Sequence, residues 1–301
     1  MSRRPIIPID HYGEIFNRHG QNFRLQKKNP AFILAKKQGK LLYPIPQNYG
    51  IGAERNFYFS HILNCPYDCS YCFLQGMYRS AHYVIFINYE DFQEAILNEV
   101  GEAKTTFFSG YDGDSLAFER RSGFLEAFLP FFARFPTAEL ELRTKSTCVD
   151  ALLKIKPVQN IVVAFSLNPS EVIRQIEKKT PSLIARLKCI KKLQQHGWQI
   201  GLRFDPILYI KNFKQIYREF FDQVFLSVST KTIHSITLGS LRLPKPIFKE
   251  MQVLKPNDKP LAQLSTLSKN TMGIKNEKEL LDFCEDYLSK IISKEKVFIC
   301  R

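Results

Sequence analysis

The sequence predicts an α/β fold with a parallel sheet, and two patterns in the chain support this prediction. From residue 56 to residue 229, short apolar runs alternate with longer segments whose apolar residues recur at helical spacing. Six such strand-and-helix units in succession favour parallel strands joined by right-handed crossovers. A cysteine-rich loop directly follows the first predicted strand, where parallel α/β folds place their ligand-binding residues.

The strands and helices of this alternation are placed by their apolar residues. Each predicted strand is a short apolar run, and each predicted helix carries an apolar stripe. Gly197 is expected to end the third helix, because glycine readily adopts the left-handed conformation at a helix C-terminus. The predicted strands span residues 57–62, 105–109, 140–144, 161–166, 199–204 and 224–229. The predicted helices contain Phe92 and Ile96, Leu125 and Phe128, Leu187 and Ile190, and Phe213 and Tyr217.

Two flanking segments lie outside the alternation. Residues 1–50 are polar and rich in proline and basic pairs, so we expect an N-terminal extension that wraps the core. Four prolines in residues 244–260 indicate an irregular stretch, and a helix around Leu281 follows it. We therefore expect an α/β core at residues 51–235 and a C-terminal segment at residues 236–301 that packs on this core.

The composition limits the classes of protein to which the chain can belong. A hydrophobic fraction of 45%, with 13% aromatic residues, is enough for a packed core, so the chain is not globally disordered. No apolar run reaches the roughly 20 residues of a membrane-spanning helix, and the first residues lack a secretory signal. We therefore expect a cytoplasmic protein, and a monomer. The net charge of +14 attracts polyanions, which makes nucleic acid a candidate partner.

The most informative stretch is a loop with three cysteines, Cys65-Pro66-Tyr67-Asp68-Cys69-Ser70-Tyr71-Cys72. Thiolates bind zinc and iron–sulfur clusters well, and three thiols in one short loop can converge on one centre. A [4Fe–4S] cluster normally takes four cysteines, so three would leave one iron with an open position. Two alternatives remain open: a zinc site with a distant fourth ligand, or a redox pair of Cys69 and Cys72. With a structural zinc, the basic chain would be a zinc-stabilised nucleic-acid-binding protein.

This loop, with Tyr71 before its last cysteine, resembles the cluster loop of the radical S-adenosylmethionine (radical SAM) enzymes. The longer run from Asn64 to Gly76 is similar to the spore photoproduct lyase family of DNA-repair enzymes. The resemblance extends over roughly residues 55–245. The further stretches that carry it are Phe107-Phe108-Ser109-Gly110, Leu142-Arg143-Thr144-Lys145, Phe165-Ser166-Leu167-Asn168 and Leu238-Gly239-Ser240-Leu241-Arg242-Leu243-Pro244.

The resemblance implies a fold and a chemistry. The fold would be an open (β/α)6 partial TIM barrel of the radical SAM type. A [4Fe–4S] cluster would bind S-adenosyl-L-methionine and cleave it to a 5′-deoxyadenosyl radical, and this radical would start the carbon–carbon bond cleavage that repairs a DNA lesion. The partners would be damaged pyrimidines in DNA and an electron donor such as flavodoxin or ferredoxin. A radical SAM enzyme that acts on RNA or on a small molecule is the alternative.

The resemblance also implies roles for residues at the strand ends. Lys145, after the third predicted strand, would pair with the carboxylate of S-adenosylmethionine, since an ammonium group is a suitable point charge. Ser166 and Asn168, at the end of the fourth strand, would hydrogen-bond the same ligand. Asp114, after the second strand, would accept hydrogen bonds from the ribose hydroxyls. The metal ligands would be the three cysteines of the loop, Cys65, Cys69 and Cys72.

Two positions depart from the family pattern. Tyr111 stands where the repair enzymes carry a cysteine that donates a hydrogen atom, and Phe73 stands in place of a tyrosine. A phenol can donate a hydrogen atom, but its O–H bond is stronger than the S–H bond of a thiol, so the replacement alters the chemistry. Cys148, three residues beyond Lys145, is another candidate donor or else a small buried hydrophobe. The candidate catalytic residues are Tyr71, Tyr111 and Cys148.

Overall fold

The computed structural model describes residues 5–46 and 48–300 of the chain. The strands are β1 (Phe32–Ala35), β2 (Leu42–Pro44), β3 (Arg55–Phe59), β4 (Ile62–Leu63), β5 (Asp68–Cys69), β6 (Tyr83–Phe86), β7 (Thr105–Ser109), β8 (Ala138–Thr144), β9 (Ile161–Ser166), β10 (Glu177–Lys178), β11 (Gln199–Ile207), β12 (Ile233–Ser240), β13 (Arg242–Pro244), β14 (Leu264–Thr266), β15 (Thr271–Ile274) and β16 (Val297–Cys300). The helices are α1 (Phe23–Gln26), α2 (Leu74–Met77), α3 (Tyr89–Leu97), α4 (Glu119–Ser122), α5 (Phe124–Phe132), α6 (Ser170–Ile176), α7 (Leu183–His196), α8 (Phe213–Ser227), α9 (Lys245–Leu254), α10 (Lys259–Ala262) and α11 (Glu277–Leu288).

The main sheet has the strand order β16-β12-β11-β9-β8-β7-β3-β2 and curls into a half-barrel, which confirms the predicted fold class. Its neighbouring strands run parallel apart from the antiparallel pair of β2 and β3. The predicted strands at residues 105–109 and 161–166 have the limits of β7 and β9. Those at residues 57–62, 140–144 and 199–204 overlap β3, β8 and β11.

The sixth predicted strand, at residues 224–229, is wrong, because most of this segment is the last turn of α8. Val224 is buried and continues the helical stripe that includes Phe220 and Phe221, whereas Leu226 is exposed. Packing of this stripe overrides the strand preference of the valines. The sixth strand is β12, which sequence reasoning missed because polar residues such as Thr237 occupy its buried face.

The two faces of the half-barrel differ in polarity. Phe59 of β3 packs against Phe92, Phe124 and Phe128 of the covering helices α3 and α5. Because side chains alternate along a strand, the neighbouring Tyr58 lies on the other, concave face. The helix-covered face therefore holds the apolar core, and the concave face is left for polar residues.

The N-terminal and C-terminal segments both join this core. β1 pairs with β6, and β2 adds an edge strand to the main sheet, so the extension lies along the barrel. β12 runs across the expected boundary between residues 235 and 236. The proline-rich stretch is not irregular: it contains α9 and the start of α10, and the strands β13, β15 and β14 on either side of it form a small sheet. Proline is tolerated in the first turn of a helix, and Pro246 occupies this position in α9. Every helix in the described ranges is too short or too polar to cross a bilayer.

The close packing of α2 against α9 at Gly76 can be tested by substitution. A Cβ atom added at Gly76 in α2 would lie 2.4 Å from the carbonyl oxygen of Ile247 in α9, whereas one added at the exposed Gly101 would meet no atom within 4 Å. We expect Gly76→Ala to reduce the free energy of unfolding by about 1–3 kcal/mol. Gly101→Ala should leave it unchanged or raise it by up to about 1 kcal/mol. Urea denaturation of both variants checks this, and equal stabilities would contradict the close contact of α2 with α9.

Candidate active site

The cysteine loop lies beyond the carboxyl end of β3 and is held in place by backbone hydrogen bonds. Cys69 is in β5, which pairs antiparallel with β10, so that Cys69 lies opposite Glu177. The next amide, of Ser70, donates to the carbonyl of Ile176 at 2.9 Å. The loop is therefore fixed to the segment that follows α6, on the same side of the sheet as the end of β9.

Burial raises the pKa of all three thiols in this loop. The positive charge of Lys145 lowers the pKa of Cys69 and so opposes the effect of burial. Lys145, Lys27 and Lys255 lower the pKa of Cys72 in the same way. Within residues 5–46 and 48–300, no three His, Cys, Asp or Glu side chains already converge closely enough to hold a metal ion. Thiols must lose their protons to bind a metal, so metal binding to this loop would release the protons that burial now favours.

Glu177 joins the cysteine loop to the ends of the strands. Its carboxylate accepts hydrogen bonds from the hydroxyl of Tyr71, from Nδ2 of Asn168 at 2.9 Å and from Nη2 of Arg186 at 2.6 Å. The side chains of Glu177 and Arg186 are completely buried. One carboxylate therefore fixes a residue of the loop, a residue after β9 and a residue of α7 relative to one another.

The charges around Glu177 are balanced by close partners. Burial alone would raise the pKa of Glu177, but Lys145 and Arg186 outweigh this effect and hold the pKa below its ordinary value. Arg186 also donates to the carbonyl oxygens of Ser166 at 2.9 Å and Pro181 at 3.0 Å. A buried ion pair is tolerated when its remaining donors are satisfied in this way.

Lys145 lies between this network and the thiols. Its Nζ atom is 5.8 Å from the centre of the Tyr71 ring, within the range of a cation–π contact. Burial would lower the pKa of Lys145, but Glu177 and the thiols of Cys69 and Cys72 raise it above its ordinary value. A positive charge is therefore maintained beside the cysteine loop.

Asp114 is buried and fastens the backbone that carries Lys145. Its Oδ1 atom accepts hydrogen bonds from the amides of Leu116 and Ala117 and from the hydroxyl of Thr144, at 2.6–3.1 Å. Its Oδ2 atom accepts from the amide of Lys145 at 2.7 Å. A carboxylate has about four acceptor positions, so ribose hydroxyls would compete with these protein donors. The predicted ribose contact stays a prediction, and the structure adds a positioning role.

The two positions that depart from the family pattern are in contact. The ring of Tyr111 stacks on that of Tyr58 with centroids 4.3 Å apart, and the ring of Phe73 meets Tyr111 edge-on at 6.2 Å. Burial raises the pKa of Tyr111 to about 12, so the phenol keeps its proton at neutral pH. Tyr111 is thus a protonated side chain next to the cysteine loop.

Cys148 lines a groove that does not include Tyr111. It lines a groove of about 790 Å³ together with Glu126 and Pro130 of α5 and with Lys154. This groove lies on the helix-covered side of the sheet, whereas Tyr111 stacks on a concave-face residue. The role of Cys148 as a hydrogen donor stays a prediction, and the geometry favours Tyr111.

Comparison with known proteins agrees with this architecture. A curled parallel sheet with a three-cysteine loop beyond its first core strand defines a protein of the radical SAM class. The family model described as "Spore photoproduct lyase" matches residues 57–259. This match covers more than half of the chain, and the chain therefore belongs to the spore photoproduct lyase family.

Two curated relatives carry the name spore photoproduct lyase. The one from Clostridium acetobutylicum is 27% identical in an alignment 172 residues long, and the match covers 54% of this chain and 50% of the relative. The one from Bacillus subtilis is 25% identical in an alignment 201 residues long, and the match covers 65% of this chain and 59% of the relative. The matched part of the chain thus spans between half and three fifths of the length of these relatives.

Solved structures support the fold. A double mutant of spore photoproduct lyase with bound AdoMet and dinucleoside spore photoproduct superposes with a TM-score of 0.74 at 18% identity, covering 90% of this chain and 82% of that one. A spore photoproduct lyase complexed with the dinucleoside spore photoproduct gives a TM-score of 0.73 at 18% identity, with the same coverage. At these identities the likeness establishes the shared architecture.

Sequence reasoning missed Glu177 and Arg186. Arg186 was detectable, because it interrupts the apolar stripe of α7 between Leu183 and Leu187, where a charged residue needs a buried partner. Glu177 carried no comparable signal, since it lies after a short helix in a polar stretch.

The contribution of Glu177 to the stability of the protein can be tested by substitution. Glu177→Gln removes the negative charge and leaves the guanidinium of Arg186 buried without an ionic partner, so the free energy of unfolding should fall by about 3–5 kcal/mol. The matched control Glu171→Gln changes an exposed carboxylate bonded to Gln175 and should cost less than about 0.5 kcal/mol. Chemical denaturation compares the two, and equal effects would show that Glu177 does not join the loop to the sheet.

Proposed function

We propose that the chain is a radical SAM lyase that cleaves a carbon–carbon bond in a DNA lesion. The observation that carries this proposal is the arrangement of the cysteine loop, which Glu177 fixes beside Lys145 and Asn168 at the strand ends. A loop fixed in this way can present three thiolates and a cofactor-binding surface together. Family membership supports the proposal independently.

The donor set fits an iron–sulfur cluster. Cys65, Cys69 and Cys72 would supply three thiolates, the ligands that such clusters require. The ammonium groups of Lys27 and Lys145 lie close enough to influence the thiols electrostatically, and they would offset the negative charge of a thiolate-bound cluster. With three protein ligands the cluster could also bind S-adenosylmethionine, and once reduced it would supply the electron that cleaves this cofactor to the 5′-deoxyadenosyl radical.

The residues around the loop would then bind and orient S-adenosylmethionine. Lys145, held by Asp114 through its backbone amide, would pair with the carboxylate of the cofactor. Asn168 has its Nδ2 engaged by Glu177, which leaves its carbonyl oxygen to accept a hydrogen bond from the ligand. Ser166 would donate from its hydroxyl. The buried ring of Tyr71, whose hydroxyl donates to Glu177, would line the cofactor site on the side of the cysteine loop.

The substrate proposal rests on charge and on the family. A net charge of +14 would attract a nucleic-acid backbone and make binding fall with rising salt. A damaged pyrimidine would have to leave the base stack to enter the half-barrel, at a cost of a few kcal/mol that is least for a damaged base. The electron would come from a flavodoxin or ferredoxin, in the reducing cytoplasm, with the protein acting as a monomer.

Tyr111 would donate the hydrogen atom of its O–H bond to the substrate radical and become a tyrosyl radical, which one electron from the flavodoxin or ferredoxin and a proton would return to the phenol. It is protonated, half-buried and stacked on the concave-face residue Tyr58. The presence of a phenol where the repair enzymes have a thiol favours one other candidate, a radical reaction on RNA or a small molecule. DNA that neither binds at low salt nor increases cofactor turnover would select that candidate.

The cysteine loop predicts a third test. Anaerobically reconstituted protein should contain about four irons per chain and form 5′-deoxyadenosine from S-adenosylmethionine when reduced. Cys65→Ala, Cys69→Ala and Cys72→Ala should each lose both properties, whereas Cys189→Ala, on the outer helix α7, should keep them. Iron analysis and chromatography of the nucleoside measure this. A colourless wild-type protein with one zinc would refute the proposal and support the zinc-stabilised alternative.

Tyr111 predicts a fourth test. Tyr111→Phe keeps the ring but removes the O–H bond, so lesion repair should slow about tenfold or more while 5′-deoxyadenosine still forms. Cys148→Ala should leave both rates unchanged. Assays of repaired product and of 5′-deoxyadenosine with irradiated DNA separate the two steps. Loss of repair in Cys148→Ala alone would assign the hydrogen donor to Cys148 instead.

A further inference from the structure

The cysteine loop has two sides, and the site described above uses one of them. In the antiparallel ladder of β5 and β10, Cys69 lies opposite Glu177, and Asp68 lies opposite Lys178. Because successive side chains on a strand point to opposite faces, the second pair lies on the face away from the first. Glu177 is buried and bonded to Asn168, whereas Lys178 is exposed. The loop therefore has an inner side, which faces the proposed cofactor contacts, and an outer side, which meets solvent.

The N-terminal extension places two basic side chains against the loop. Arg24 of α1 donates to both carboxylate oxygens of Asp68, at 2.6 and 3.1 Å. Lys27, directly after α1, is buried and donates from Nζ to the carbonyl oxygen of Cys65. Asp68 is the one carboxylate between the first and the last cysteine of the loop. Its charge is thus already balanced by Arg24, and the ammonium group of Lys27 adds a positive charge.

Three further lysines extend this positive charge to the surface of the protein. Lys178 and Lys179 are exposed, and Lys179 lies within electrostatic range of Lys27. Lys255, at the end of α9, is partly exposed and lies within electrostatic range of the thiol of Cys72. In the part of the chain that the structure describes, none of the three surface lysines forms an ion pair. The outer side of the loop therefore carries an excess of positive charge, supplied by three segments that are distant in the sequence.

The position of this charge indicates which kind of acidic partner fits. Cys65 and Cys72 are partly exposed, and both thiols lie within electrostatic range of Lys27. A protein that delivers electrons has to approach the thiols closely, because electron transfer slows steeply with distance. A nucleic acid has to reach the concave face instead, where Tyr111 stacks on Tyr58. Positive charge on the outer side of the loop therefore favours an electron carrier over nucleic acid.

We propose that the outer side of the cysteine loop, with Lys178, Lys179 and Lys255, is the docking surface for an acidic protein that carries single electrons at low potential. The docked carrier gives up one electron, which reduces a cluster held by the three thiolates by the same amount. Complementary charge speeds such an encounter and makes it sensitive to salt. This inference rests on the proposed function, in which a flavodoxin or ferredoxin is the electron donor, and it adds the surface where that donor binds.

Calorimetric titration of the full chain with a bacterial flavodoxin tests this docking surface and does not require a cluster. The double variant Lys178→Gln with Lys179→Gln should bind about three- to tenfold more weakly than the wild type at low salt. The difference should shrink at about 0.5 M salt, because ions screen exposed charges. The matched control Lys191→Gln with Lys192→Gln removes two consecutive exposed lysines of α7 and should bind as the wild type does. A wild type that does not bind flavodoxin, or double variants that bind it equally, overturn the proposal.

The rate at which the cluster is reduced connects docking with electron delivery. In reconstituted protein, reduced flavodoxin should bleach the cluster absorbance about three- to tenfold more slowly in the Lys178→Gln, Lys179→Gln variant than in the wild type. Photoreduced 5-deazariboflavin, a small uncharged reductant, should reduce both proteins at the same rate. A variant that binds DNA more weakly but is reduced by flavodoxin at the wild-type rate assigns the surface to nucleic acid and overturns the proposal. Protein that forms 5′-deoxyadenosine with the small reductant but shows no difference between the two double variants refutes this inference alone.

Discussion

The buried ion pair of Glu177 and Arg186 is the interaction on which the candidate site depends. Two charges without any solvent exposure are costly to bury, and they persist only when hydrogen bonds satisfy their remaining atoms. Tyr71 in the cysteine loop and Asn168 after β9 donate to Glu177, and Arg186 donates to the backbone carbonyls of Ser166 and Pro181. The cysteine loop is thereby held against segments that follow it by about 100 residues in the sequence. The loop would otherwise depend on the two-residue ladder of β5 and β10.

A second constraint is the division of the half-barrel into an apolar face and a polar face. Phenylalanines from β3, α3 and α5 fill the space between the sheet and the helices. Because successive side chains on a strand point to opposite faces, every second residue then lies on the concave side. On β8 this alternation places Glu141 and Arg143 on the same side of the strand, and Lys145 follows directly after its last residue. The buried Glu141 and the proposed cofactor contact Lys145 thus belong to the same strand and the residue that follows it. Substrate and cofactor would meet where that strand ends.

Much of this arrangement could be predicted from the sequence. Apolar runs fixed five core strands because buried parallel strands need few other signals, and the spacing of the cysteines located the candidate metal loop. The sixth strand, β12, was not predicted, because Ser235 and Thr237 face the polar interior and interrupt its apolar run. The partners of Glu177 could not be predicted, because they depend on which segments become neighbours in the fold. Patterns within one element predict that element, whereas contacts between elements require the fold.

The central claim is that a loop of three thiols, fixed by Glu177, holds a cluster with one iron open to S-adenosylmethionine. Electron paramagnetic resonance of the reduced, reconstituted protein tests this claim most directly. We predict a [4Fe–4S]⁺ signal that changes when S-adenosylmethionine is added, because the cofactor binds the open iron. A signal that the cofactor leaves unchanged, or a protein that holds no cluster, would contradict the account.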